Sequence, residues 1–538
     1  MALPAVVWLA SAAILSLVTF LALRPAQRAA VLGRLGLGGA ARAAARRPST
    51  PSLEKQPPPS KPLASSSSDL AATFPPRQRA ELQQLAAALP EAQRRALGDV
   101  AAFDEAAFAR ALLGLAEDYR APAAAAKYSC SGLAVREIRA LGDFPDYAAL
   151  SGVPPPAPYP EFDIDRALPR PYRPFRWPYH QTMSLTKLEP DWWLELESTY
   201  RTRIAQRKAL YAEHGSSVLG ALPGSELACK ELMEMALQFL CARYPHYFSL
   251  SADARGRTVF ENRILDVRTV VSRGSAAEAE EEEDGDVVDP LLVLLEHVPE
   301  DFGIVLRDPD SGYYYLRAGV ICSALGWNVG TKIGLRLDQI HEPIPDYKEK
   351  MQFSMDRYFS KMPTSKPIQR GSWGLEVDQP LYMPPGDPHE ALRGSQDPGL
   401  GLERVHLRVD WQTLRRLPLS GAVVFNFKAL FTPLAELRDE PYVPALVLRV
   451  LAAGNPRIMR YKNTWHVEHV AVPALRQFAR EQRDRGLVAT ATAAAADGAP
   501  SEDPDAEEEG EGAWSPRTLD ESPWFPGWQE KWHRQQGF

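Results

Sequence analysis

Apolar positions along this 538-residue chain change their spacing several times, and each change predicts a different element. From Ala2 to Leu23 no residue is charged. At about 1.5 Å per residue that run reaches about 33 Å as a helix, enough to cross a bilayer, so a transmembrane anchor is predicted over 2–23. Between Arg77 and Tyr119, apolar residues three and four apart among Ala, Leu, Glu and Arg predict helices that Pro122 ends, within a helical region over 70–150. A second helical block runs from Asp191 to Tyr244. There Leu227, Leu232, Met235, Phe239 and Leu240 form a core stripe behind a cap at Pro223-Gly224-Ser225. From Phe248 onward the texture becomes short runs rich in Val, Leu, Phe and Tyr: "LLVLLEHV", "GIVLRD", "YYYLRAGVI", "RVHLRVDWQTL", "GAVVFNFKALF" and "PALVLRVLAA". These predict strands of a mostly antiparallel sheet, with a hairpin turn over Asp308–Gly312. The fold class expected is α/β of the α+β kind: a sheet with a helical companion region, preceded by the N-terminal transmembrane helix.

Composition adds the linkers. Residues 24–69 hold a basic flank and the Pro- and Ser-rich "RPSTPSLEKQPPPSKPLASSSSDL", a tether that cannot bury enough apolar surface to order itself. Residues 151–190 are dense in proline and aromatics and suit an extended wrap over a surface. "SAAEAEEEEDGD" and the stretch from Pro384 to Gly401 read as solvated loops, and 490–513 as a disordered acidic linker. In the Trp-rich segment 514–538, Trp524, Trp528 and Trp532 share one helical face, for docking onto the body or, as the competing use, for membrane contact.

The formal charge of −7 hides an asymmetry. Six arginines and no acids lie between Arg24 and Arg47, leaving 55 basic against 68 acidic residues elsewhere, or −13, which argues against nucleic acid as a partner. All six follow the apolar run, unlike the flank of a cleaved signal peptide, and place the globular body on the cytosolic side of a membrane. A mitochondrial-type presequence is the competing reading. The four cysteines show no C-x-x-C spacing, so a reducing compartment is expected.

Phosphate-loop, nucleophile-elbow, H-E-x-x-H and dinucleotide signatures are all missing. Three constellations remain. In "GWNVGTKIGLRLDQIHEPIPDY", Lys332, Arg336 and His341 could project toward a common anion or cofactor ahead of a rigid turn at Pro343 and Pro345, where a neutral imidazole suits haem iron or another borderline metal; hydrogen-bonded packing is the commoner use of one histidine. In "HVEH", His466 and Glu468 would share a face if the segment were a strand, as in a carboxylate–histidine iron site. In "PFRWPYHQTMSLTKL", Arg176, His180 and Lys187 interleave with aromatics as an anion clamp or as cation–aromatic packing. Cys322 is the alternative iron ligand, in surroundings that read as an apolar strand end.

Several motifs stand in one order: W-x-x-L-E-x-x-Y (Trp193 to Tyr200), P-G-S-E-x-A-x-x-E-L (Pro223 to Leu232), R-Y-P (Arg243 to Pro245), Glu300-Asp301 and A-G-V-x-C (Ala318 to Cys322). W-x-x-x-x-K-I-G (Trp327 to Gly334), I-H-x-P-x-P-x-Y (Ile340 to Tyr347), Arg370 with Trp373, and Q-T-L-R-R-L-P (Gln412 to Pro418) follow. This set, from Pro171 to Val470, resembles the haem-dependent oxidative N-demethylase family, whose fungal members are called HRQ family proteins. The resemblance implies haem b in a PAS-like α/β domain with a helical part, over 191–475. It also implies oxidation of small methylated amines with dioxygen and electrons from a flavin and iron–sulfur reductase. Carried over residue by residue, His341 is the candidate axial ligand and metal-binding residue, Lys332 and Arg336 are candidate propionate contacts, and Arg370 and Gln412 are catalytic-pocket residues. One departure stands out: where the family shows Glu-Arg-Gln or a His-containing variant, this chain has Asp410-Trp411-Gln412. A haem or small-ligand sensor of PAS type is the alternative function, and a structural adaptor a third.

Overall fold

The computed structural model describes residues 70–75, 89–98, 105–177, 179, 183–272, 288–488 and 523–537. The predicted anchor, basic flank and almost all of the tether, the loop 273–287, the acidic linker and His180 lie outside the described residues.

The longest strands are β9 (Val405–Arg416) and β10 (Val423–Pro433), largely buried on both faces, and these form the central hairpin. The turn between them needs Gly421: its φ is +72°, and a Cβ there would lie 2.4 Å from Cys130 Sγ. Around this hairpin assemble β1 (Thr186–Lys187), β2 (Leu219–Ala221), β6 (Asp301–Arg307), β7 (Tyr314–Val320) and β8 (Ile368–Val377). The seven strands run in the order β1-β8-β9-β10-β6-β7-β2, every pairing antiparallel. A separate antiparallel sheet joins β3 (Phe248–Ala252), β4 (Thr258–Asn262) and β5 (Val267–Ser272). The predicted hairpin turn joins β6 to β7. There the Gly312 amide donates to the Asp308 carbonyl at 2.9 Å, and Ser311 Oγ donates to the Asp308 carboxylate.

The large sheet has two differently used faces, because side chains alternate along each strand. One face, carrying Trp373, Trp411, Val424 and Ile304, packs into the main core with helices α1 (Tyr200–His214) and α2 (Glu226–Arg243). The predicted stripe of α2 is wider than its sequence period suggested: 13 of its 18 residues are buried, Glu231 and Glu234 among them. Glu231 tolerates this because it accepts the Leu419 and Ser420 amides, at 2.5 and 2.8 Å. The other face carries Leu414, Val423 and Val305, and is covered by helices α4 (Leu337–Ile340) and α5 (Gln352–Lys361), which bring Leu337, Met355 and Phe359.

Two runs expected as strands are helices. "LLVLLEHV" forms α3 (Pro290–His297), because Asp289 accepts the Leu291 and Leu292 amides and Pro290 occupies the first turn. "PALVLRVLAA" forms α6 (Val443–Ala453), again with a proline in its first turn. Both are apolar nearly all round, so their periodicity carried no signal. The expectation of a single-pass membrane protein is corrected as well: among the described residues no helix is long and apolar enough to cross a membrane. The most apolar helices among the described residues, α3 and α6, have 8 and 11 residues, about 12 and 17 Å against a hydrocarbon core of about 30 Å.

The C-terminal aromatic segment folds as α8 (Trp528–Gln536), after α7 (Trp465–Asp484). Trp524 and Trp528 stack at 4.3 Å, the Trp532 indole N–H donates to the Leu168 carbonyl at 2.8 Å, and Lys531 pairs with Glu440 at 2.8 Å. Glu440 is also gripped at 2.7 Å by two nitrogens of Arg173 in the proline-rich wrap.

Candidate functional site

Three glycines, Gly220, Gly319 and Gly303, stand in register across β2, β7 and β6. A Cβ on Gly220 would sit 3.2 Å from Ile333, so the row lets the segment around Lys332 lie close on the sheet. The chain then follows the end of β7, with the Gly334 amide on the Leu316 carbonyl (2.7 Å) and the Leu316 amide on the Leu335 carbonyl (3.0 Å). This fixes α4, at whose C-terminus His341 sits.

His341 is half-buried, and its ring is set from two sides. It stacks on Tyr347 at 5.1 Å with an interplanar angle of 11°. Nδ1 lies 2.6 Å from the Leu337 carbonyl oxygen. A carbonyl only accepts, so Nδ1 carries the hydrogen and Nε2 carries the lone pair. Nε2 has no hydrogen-bond partner among the described residues. Burial pushes the imidazole below its ordinary pKa, and the cations Arg370 and Lys332 add to that, against the Leu337 hydrogen bond. The ring is therefore neutral at pH 7 and presents one free donor atom, the tautomer that metal-binding histidines adopt when the other nitrogen is held by a carbonyl.

Lys332 donates to the Ile340 carbonyl at 3.1 Å and so caps the helix that carries His341. Arg336 is engaged by Asp338, at 2.8 and 2.6 Å, and lies over the Tyr313 ring at 4.7 Å. Arg370 and Gln412 are direct cross-strand partners of β8 and β9, on the face that carries His341, and Gln412 also pairs with Phe427 of β10. Arg370 differs from its neighbours: no described carboxylate pairs with it, its Nε is buried without a hydrogen bond, and burial lowers its pKa. Phe425, Phe427 and Trp327 supply an aromatic seam beside these residues, with ring separations of 5.6 and 6.0 Å.

Lys462 belongs to the same neighbourhood and was not anticipated. Its ammonium donates to the Trp373 carbonyl at 2.7 Å and lies over that indole at 4.6 Å. Burial drives its pKa down to about 7; Asp410 opposes this and Arg370 reinforces it. Nothing in "RYKNTWH" distinguishes this lysine from a surface one, because its role depends on strand β8 passing beside it.

The other candidates are not brought to this place. "HVEH" lies in α7, not in a strand, and two positions apart on a helix are on different faces. His466 Nδ1 donates to the Asn463 carbonyl at 2.9 Å, while Glu468 accepts from Thr464 at 2.6 Å. Cys322 is buried with its thiol pushed up to about 12 by desolvation, beside the Arg207–Asp301 pair, and no thiolate forms there at neutral pH. Lys187 pairs with Glu189 at the surface, and His180 of the proposed anion clamp lies outside the described residues. Among the described residues no three His, Cys, Asp or Glu side chains gather to hold a metal ion.

The family model described as haem-dependent oxidative N-demethylase, alpha subunit-like, matches residues 184–472, a little over half of the chain. The chain belongs to this family. Its site residues fit the group that the family name specifies. A haem iron takes four nitrogens from its macrocycle and needs one protein ligand, which the free Nε2 of His341 offers. The carboxylates of such a group need positive charge, and Arg370 has no other counter-ion among the described residues. The departure at Asp410-Trp411-Gln412 reaches this site through Asp410, which shares the strand face of Gln412 and acts on Lys462. Trp411 points to the opposite face and donates to Gln369 at 3.0 Å, and Asp410 is held by Arg408 at 2.9 Å.

Proposed function

We propose that this protein is a haem-dependent oxidoreductase acting on small methylated amines, with haem b held by His341 in a PAS-like sheet domain. Dioxygen is the oxidant and a flavin and iron–sulfur reductase the electron source. The observation that carries the reading is a neutral imidazole, its Nε2 without a described partner, on the same sheet face as a half-buried guanidinium that has no described counter-ion and whose Nε is buried without a hydrogen bond. Bound haem supplies the dioxygen chemistry, which no side chain of the chain provides. The chain's residues position and shield. Leu337 and Tyr347 hold the imidazole in one plane and one tautomer, and Lys332 caps the helix beneath it. Arg370 balances carboxylate charge, while Phe425, Phe427 and Trp327 keep water from the sheet face. Gln412, between Arg370 and Phe427, offers an amide to a polar substrate group. Lys462, held near neutrality by burial, is the group in the neighbourhood able to move a proton at pH 7.

The test is turnover. Haem-loaded protein supplied with reductant and dimethylamine should release formaldehyde in an amine-dependent way. A haem-loaded protein that gives no formaldehyde with any secondary methylamine would contradict the enzymatic reading and leave the sensor function.

A further inference from the structure

The motif Q-T-L-R-R-L-P contains adjacent arginines whose surroundings are opposites. Arg416 is fully spent: its Nε donates to the Met362 carbonyl at 2.7 Å, Nη1 to that of Gly421 at 2.6 Å, and Nη2 to that of Phe359. Arg415 is 93% buried, being 7% exposed, yet it makes no hydrogen bond and no ion pair with any described residue. Its Nε is buried and unsatisfied, and its guanidinium lies over the Trp193 ring, 4.1 Å away. Three residues beyond Gln412, it lies on the sheet face opposite His341, toward α2.

Arg415 lines a cavity of about 70 Å³ roofed by the proline-rich wrap. One water needs roughly 10–15 Å³ of such space, so the cavity holds several waters or one small organic molecule. Its walls are mostly apolar: Val153, Pro154, Pro156, Met235 and Phe239. Among the polar groups of the lining, the Trp193 indole N–H is buried without a hydrogen bond, while Tyr147 and Gln238 are already committed. Tyr147 donates to Glu234, and the Gln238 amide donates to the Phe144 and Pro145 carbonyls. Arg415 is the one charged residue of the lining. A guanidinium keeps its charge at neutral pH even here, and a buried charge with neither partner nor hydrogen bond is costly.

We propose that this cavity is a binding site for a small aliphatic monocarboxylate, whose carboxylate pairs with the Arg415 guanidinium and whose short apolar body lies against the prolines and Phe239. One cation matches one negative charge, the planar fork suits a carboxylate, and apolar walls leave nothing for the remaining charge of a phosphate. The inference rests on the opposite sheet face and does not depend on haem binding.

The full chain is titrated calorimetrically with acetate and propionate, and separately with inorganic phosphate, at constant ionic strength and pH 7. Saturable one-site binding is expected for the carboxylates, with propionate the tighter, together with a rise in the unfolding midpoint that follows the same saturation. Arg415→Met is expected to fold, because it replaces an uncompensated buried charge by an apolar chain, and to lose the binding. Trp193→Phe, a milder change, should keep it with reduced affinity. The proposal is overturned by wild-type protein that binds neither carboxylate saturably, by binding that persists in Arg415→Met, or by phosphate binding in preference to both acids.

Discussion

The large sheet supports two charged clusters of contrasting construction. On the side of α1, Glu300 accepts the Glu195 amide and the Asn426 side chain at 2.9 and 2.6 Å, and Asp301 accepts the Cys322 and Ser323 amides at 2.9 and 2.8 Å. Arg207 closes an ion pair on Asp301, and Lys428 reaches Glu197 at 3.2 Å. Every carboxylate oxygen of Glu300 and Asp301 is used, although Nη2 of Arg207 is buried without a hydrogen bond. On the other side, His341 keeps a lone pair and Arg370 keeps a charge with nothing described to receive either. Paired charges and saturated carboxylates mark a cluster that holds the fold, and a charge with no counter-ion marks one built to hold something else.

The contrast is breakable by experiment. The largest expected effect is on the saturated side: Asp301→Ala strands the Arg207 charge and two amides, and should lower the unfolding free energy by about 3–5 kcal/mol in urea titration. Arg370→Gln should do the reverse in kind. Folding stability should hold or rise, because an uncompensated charge is removed, while haem affinity falls about tenfold, or about 1.4 kcal/mol, in a haem-transfer titration. Equal destabilisation by the two variants would erase the distinction between the clusters. The smallest effect concerns pH. Lys462 titrates near 7 in the folded chain against about 10.4 when unfolded. The unfolded state therefore binds more protons between these values, and stability should rise with pH across that window. Lys462→Met should flatten that rise, measured as unfolding midpoints between pH 7 and 10; an unchanged slope would mean that Lys462 is solvated.

The sequence carried some of this and concealed the rest for physical reasons. Strands β9 and β10 and the Asp308–Gly312 turn were legible, because the strand runs are rich in Val, Leu and Phe and the turn has its own chemistry. Helices α3 and α6 were not, since a short run buried all round looks alike in a strand and a helix, and only Asp289-Pro290 hinted at the difference. "HVEH" misled because four residues cannot separate a period of 2 from one of 3.6. His341 was singled out by its place in the ordered motif set, since its rigid exit turn at Pro343 and Pro345 alone also suits a packing residue. Arg370 was found through a motif, but its lack of a partner depends on which side chains the sheet fails to place beside it. The open guanidinium of Arg415 was hidden for the same reason, next to an Arg416 that is fully engaged.

The central claim is that the free Nε2 of His341 is the chain's attachment point for haem iron. The visible absorption spectrum of the haem-reconstituted protein, recorded beside that of His341→Ala, tests it most directly. A Soret band in the parent that is lost or strongly shifted in the variant, with the unfolding midpoint little changed, is the predicted result. An identical band in both proteins would contradict it.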